Sequence, residues 1–114
     1  MLANNRISRI TKDFAQLCPK LETVVLQSNR LQLLSELDNL PGTLKRLVCL
    51  DNVVANLPNY RLYVIYKFPL LKMLDYQKIS EQERTEAHNL FSVKGNLEKV
   101  LNQDKAHANM MLNL

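Results

Sequence analysis

Leu21-Glu22-Thr23-Val24-Val25-Leu26-Gln27-Ser28-Asn29-Arg30-Leu31 sets regularly spaced apolar residues around one asparagine. It fits the repeat L-x-x-L-x-L-x-x-N-x-L, with Val24 in place of the second leucine. The same frame returns at Leu44, Leu47, Cys49, Asn52 and Val54, which sets Asn29 and Asn52 23 residues apart. That spacing lies within the roughly 20–29 residues of a leucine-rich repeat. Upstream, Leu2, Asn5 and Ile7 fill the last three frame positions. Downstream, Leu71, Leu74, Tyr76 and Ile79 fit a degenerate final copy. Four phased copies predict an α/β solenoid with a parallel sheet on its concave face, helical turns on its convex face and a helical cap at the C-terminal end.

The residue types follow from that geometry. From first to third leucine each copy is a short strand, and alternate side chains point into the solenoid. One copy cannot bury its apolar face alone, so the copies stack. Each asparagine turns the chain out of its strand and can bond backbone groups that the turn leaves unpaired. Asn5, Asn29 and Asn52 are therefore expected to form a structural ladder. Ile10, Phe14 and Leu17, then Leu34, Leu37 and Leu40, recur at helical spacings and form the convex segments. Pro19 and Pro41-Gly42 end those segments.

Strand positions pointing away from the core form the concave surface on which solenoids bind partners. In this frame they are Ala3 and Asn4; Thr23, Val25, Gln27 and Ser28; and Arg46, Val48, Leu50 and Asp51. Val25, Val48 and Leu50 are expected to form an exposed apolar patch, with Arg46 and Asp51 placing charge at its edge.

The 114 residues suit one small domain. The net charge of +4 is uneven. Residues 1–59 carry +2, residues 60–79 carry +3, and residues 80–114 carry −1. A mild basic bias in the middle fits nucleic acid, an acidic partner or a solvated face. Cys18 and Cys49 match no metal-ligand spacing and imply a reducing compartment. There is no apolar leader run and no stretch near the ~20 apolar residues of a membrane span. A soluble intracellular protein is expected.

Beyond the repeats, Asn56-Leu57-Pro58 is a candidate helix start, with Asn56 as cap. The helix would run from Tyr60 to Phe68 and stop before Pro69, against the strand preference of its Tyr, Val and Ile residues. Ser80 and Glu83 form a capping box that opens a helix to about Phe91. Gly95 marks a break, after which Leu97, Val100, Leu101, Ala108 and Met111 recur at helical spacing. Residues 1–91 are thus read as repeats plus cap, and residues 92–114 as a helical extension.

Tyr60-Arg61-Leu62-Tyr63-Val64-Ile65-Tyr66-Lys67-Phe68-Pro69, followed by Leu74-Asp75-Tyr76-Gln77-Lys78, resembles the C-terminal cap of leucine-rich-repeat proteins. It is most similar to the cap of the A-prime family of the U2 small nuclear ribonucleoprotein. Asn4-Asn5-Arg6-Ile7 and Ser80-Glu81-Gln82-Glu83-Arg84 fit the same family, so the resemblance covers about residues 2–91. It implies further repeats and an N-terminal cap ahead of Met1. It also implies a nuclear, non-catalytic scaffold that grips an RNA-recognition-motif protein and helps it hold U2 small nuclear RNA during pre-mRNA splicing. The resemblance implies a more basic segment after the cap than residues 80–114 supply, so RNA contact is expected mainly through that partner. The alternative is a general leucine-rich-repeat adaptor for another protein.

Catalytic patterns are missing. His88 and His107 have no second His or Cys at ligand spacing, so no metal site is expected. Glu81, Glu83 and Glu86 suit the dipole of a helix start. Phosphate loops, nucleophile elbows and metalloprotease motifs do not occur. No cofactor and no small-molecule substrate are implied.

Overall fold

Short strands follow from the alternating frame. Strand β1 is Thr23–Val25, β2 is Arg46–Val48, β3 is Met73–Leu74 and β4 is Gln77–Lys78. The structure, a computed structural model, describes residues 2–93 and 96–102. The sheet order is β1-β2-β3-β4, with β1, β2 and β3 parallel and β4 antiparallel to β3. Val24 pairs with Leu47 and Leu47 with Leu74, so the second frame position stacks on itself from layer to layer. Residues 2–4 run alongside: the Leu2 amide donates to the Val25 carbonyl at 3.0 Å and that of Asn4 to Gln27 at 2.8 Å.

Frame residues fill the core. Val24, Leu26, Leu31, Leu44, Leu47, Cys49, Val54, Leu71 and Leu74 are all buried, as are the convex-side Leu34, Leu37 and Leu40. The convex segments are single helical turns, α1 at Phe14–Leu17 and α2 at Leu34–Leu37. Two expectations need correction here. Leu17, expected on the convex side with Ile10 and Phe14, stays 74% exposed, whereas Ile10 is buried. Tyr76 does not continue the last strand inward. It lies with Asp75 in the tight turn between β3 and β4, and it is 61% exposed.

The asparagine ladder is built as the sequence requires, and its bonds join layers. Asn52 Oδ1 accepts the Leu31 amide at 3.0 Å, while Nδ2 donates to Leu26 and Cys49 carbonyls at 2.9 Å each. Asn29 repeats this one layer earlier, accepting from the Ile7 amide at 3.0 Å and donating to Leu2 and Leu26. Both asparagines are buried. Asn5 is exposed and donates within its own layer, to Leu2 and Ala3. At the other end the Asp75 carboxylate closes the β2 layer: Oδ1 accepts the Cys49 amide at 2.6 Å and Oδ2 the Tyr60 hydroxyl at 2.8 Å.

The cap helix α3, Tyr60–Lys67, forms despite its strand-prone residues because Tyr60, Tyr63, Val64 and Ile65 bury against the solenoid end. Tertiary packing of one face outweighs local propensity. Asn56 is not its cap. Asn56 ends a 3-10 turn, Val53–Asn56, and α3 instead follows Asn59 in the left-handed region at φ 65°. Helix α4, Glu81–Phe91, has the expected Ser80–Glu83 capping box. It packs on α3. The Phe91 ring meets Tyr63 edge-on at 5.8 Å and Tyr66 at 5.4 Å.

Two arginines tie the cap helices together. Arg84, on α4, donates to the Ile65, Phe68 and Leu71 carbonyls, which satisfies the C-terminal end of α3. Arg61, on α3, pairs with Glu83 at 2.5 Å and donates to the Leu74 carbonyl at 3.2 Å. Residues 96–102 are helical, with Val100 in the core cluster. Gly95, Ala108 and Met111, singled out above, lie outside the described residues.

Asn52→Ala leaves a buried amide and buried carbonyls without their partner, and each such group costs about 1–3 kcal/mol. The variant is expected to lose roughly 3 kcal/mol in urea unfolding, against under ~1 kcal/mol for exposed Asn5→Ala. Equal losses would contradict the ladder's role. The hydrogen bond from Arg61 holds the Glu83 carboxyl down to about 2 from an ordinary 4.5; burial opposes this and the Ser80 amide adds to it. A carboxylate held low stabilises the fold above its ordinary range and loses that contribution as pH falls towards its folded value. Wild-type stability should therefore decline between pH 4.5 and about 2. Glu83→Gln should be less stable at neutral pH and flatter over that window, and parallel acid profiles for the two would refute the assignment.

Candidate functional site

The concave face takes shape from the strand exits. Asn4, Ser28 and Asp51 sit one residue before the ladder asparagines, at φ 60°, 60° and 59°. Short polar side chains tolerate this left-handed conformation, so the turn itself accounts for these residue types. Their side chains rim the face, and the Ser28 hydroxyl donates to Asp51 at 2.8 Å. At the strand entries Thr23 and Arg46 are exposed, with Arg46 Nη1 donating to the Thr23 hydroxyl at 3.3 Å.

Most of the expected contact residues therefore meet on one surface. Ala3, Val25, Gln27 and Ser28 are half-buried; Asn4, Thr23, Arg46, Leu50 and Asp51 are exposed. Val48 is the correction, being only 4% exposed. Alternation does turn it to the concave side, but Tyr76 reaches over its strand. The Tyr76 hydroxyl donates to Gln27 Oε1 at 3.2 Å, and β2 runs between the layers of those two residues. The open apolar patch is thus Val25 and Leu50, joined by the Tyr76 ring.

Charge is arranged along the strands. Lys45, Arg46, Lys72 and Lys78 cluster at the entries of β2 and β3 and on β4, with Lys45 paired to Glu22 at 3.2 Å. Asp51 lies at the exit of the β2 layer. Arg46 and Asp51 are five residues apart, about 16 Å of extended chain. A partner is offered positive charge at one end of the strip and negative at the other.

The buried titratable groups serve the fold. The Cys49 thiol is pushed up to about 12, first by burial and then by the Asp75 charge. The Tyr60 hydroxyl is raised as well, again chiefly by burial. Neither ionises near neutral pH, so this cluster holds no activated nucleophile. Among the described residues no three His, Cys, Asp or Glu side chains gather to hold a metal. Sequence reasoning missed Tyr76 as a surface residue. The available signal was Asp75-Tyr76 followed by the polar pair Gln77-Lys78, a hairpin pattern that the repeat frame concealed.

Comparison with known proteins places this geometry. The family profile for the leucine-rich repeat matches residues 1–105. The U2 small nuclear ribonucleoprotein A′ of Arabidopsis thaliana is 45% identical over 102 residues, covering 88% of this chain and 41% of that protein. The Homo sapiens protein of the same name is 43% identical over 96 residues, covering 82% and 38%. This chain thus spans about two fifths of the length of these relatives. The solved Drosophila melanogaster SNF/U2A′ complex contains a chain matched at TM-score 0.80 and 39% identity, over 90% of this chain and 60% of that one. A structure of the Chaetomium Mex67:Mtr2 subunits matches at TM-score 0.62 and 31% identity, over 76% of this chain. The repeat frame and the parallel sheet accord with that match, and the chain belongs to the leucine-rich-repeat family.

Proposed function

We propose that this chain is a protein-binding component of the U2 small nuclear ribonucleoprotein, acting in the nucleus during pre-mRNA splicing. Its concave face holds an RNA-recognition-motif protein of the SNF type, and that partner carries most of the contact with U2 small nuclear RNA. The observation that carries this reading is the likeness to the SNF/U2A′ complex, which extends over 90% of the chain at 39% identity. The face supports it physically. Leu50 and Val25 offer apolar contact, and Arg46 and Asp51 offer oriented charge that favours one docking direction. The contacts proposed are Asn4, Thr23, Val25, Gln27, Ser28, Arg46, Leu50 and Asp51. Val48 acts from beneath, as support.

Leu50→Asp and Arg46→Glu change exposed positions, so the circular dichroism of both should match wild type. Loss of a central anchor costs ~2 kcal/mol or more, roughly a thirty-fold loss of affinity. Titration of the chain with purified SNF is expected to show a loss of that size for Leu50→Asp. Normal binding by both folded variants would remove the concave face from the account. No binding by wild type, with capture of a different protein, would favour a general adaptor.

Direct RNA binding by the chain alone is expected to be weak. A net charge of +4 spread over the chain offers few phosphate contacts, and affinity through such contacts falls steeply with salt. A U2 stem-loop titrated with the chain should show no preference over a scrambled loop. Adding the partner should restore the preference. Tight, sequence-selective binding by the chain alone would contradict this.

A further inference from the structure

Tyr76 stands where a tyrosine is unexpected. The two-residue turn from β3 to β4 puts both Asp75 (φ 53°) and Tyr76 (φ 66°) in the left-handed region. Such turns favour Asn-Gly or Asp-Gly, since glycine at the second position meets no steric penalty. A bulky side chain there is an outlier, and outliers of this kind cluster at functional positions. The consequence is visible in where the ring goes. It leaves the core, remains 61% exposed, and crosses the β2 layer to bond Gln27.

We propose that Tyr76 is an aromatic anchor for the partner bound on the concave face, a role that rests on the function proposed above. The turn's strain aims the ring, and the bond to Gln27 fixes it before binding. A rigid aromatic with one polar tip is the side-chain type that dominates interface energetics, because it brings large area at low entropy cost. The strip from the Gln27 layer to the Tyr76 turn spans two strand spacings, about 10 Å, close to the diameter of an α-helix. The geometry fits an amphipathic helix of the partner, its apolar stripe against Leu50 and the Tyr76 ring.

A tyrosine that only covered Val48 would add to the fold and nothing to the affinity. The test uses the whole chain and purified SNF. Tyr76→Asn suits the left-handed turn and removes the ring; Tyr76→Phe keeps the ring and removes the hydroxyl. Tyr76→Asn is expected to bind about thirty-fold more weakly, and Tyr76→Phe within a few-fold of wild type. Unchanged affinity for Tyr76→Asn, whatever its thermal midpoint, overturns the proposal. If Tyr76→Asn fails to fold, nitration of the wild-type chain decides the matter, because Tyr60 and Tyr63 are buried and Tyr66 is half-buried. Protection of Tyr76 by SNF supports the anchor, and undiminished nitration in the complex overturns it. Failure of wild type to bind SNF defeats the function proposed above and this inference with it, whereas wild-type binding alongside normal Tyr76→Asn binding defeats this inference alone.

Discussion

Each layer of this molecule is held to the next by one buried side chain at the strand exit. Asn29 and Asn52 each accept an amide from the preceding layer and donate to carbonyls of that layer and their own. The constraint behind this is the cost of leaving buried backbone groups unpaired where the chain turns out of the sheet. An amide side chain carries both a donor pair and an acceptor, so a single residue answers both needs. The left-handed residue before each asparagine is part of the same device, and these residues also rim the concave face. Scaffold and surface are therefore one construction.

The ladder also explains the shape of the cap. At the last layer the ladder position holds Ile79, and the Asp75 carboxylate, which can accept but not donate, closes the β2 layer instead. It accepts from the Cys49 amide on one side and from Tyr60 of α3 on the other, so the bonding pattern ends on the cap helix. Arg61 and Arg84 then bind the carbonyls of the final turns, joining α3, β3 and α4. The polarity of the strip follows too, with lysines gathered at the strand entries and Asp51 at a strand exit. This arrangement favours partner choice and orientation over raw affinity.

Much of this was legible from spacing. The leucine frame located the buried positions of β1 and β2, the 23-residue repeat of Asn29 and Asn52 foretold the ladder, and Ser80-x-x-Glu83 foretold the capping box. Single residues were misread where a local rule met a tertiary one. Val48 obeys strand alternation but is covered from across the sheet. Tyr76 fits the repeat frame by count, yet the chain reverses one residue earlier, at Asp75. Asn56 looks like a helix cap, but Val53–Asn56 closes as a 3-10 turn and the helix starts after Asn59. Frame counting presumes a constant repeat length. Here the register step lengthens from Thr23↔Arg46 to Arg46↔Met73, which admits the cap helix between strands.

On the function proposed here, the strand exits of the concave sheet, rather than the convex turns or the cap helices, receive the partner. Amide hydrogen exchange of the chain with and without SNF tests it most directly. The account predicts slowed exchange at residues 27–28, 50–51 and 75–76 on binding, with residues 14–17 and 34–37 unchanged. Slowing confined to the convex turns or to the outer surface of α4, with the strand exits unaffected, would contradict it.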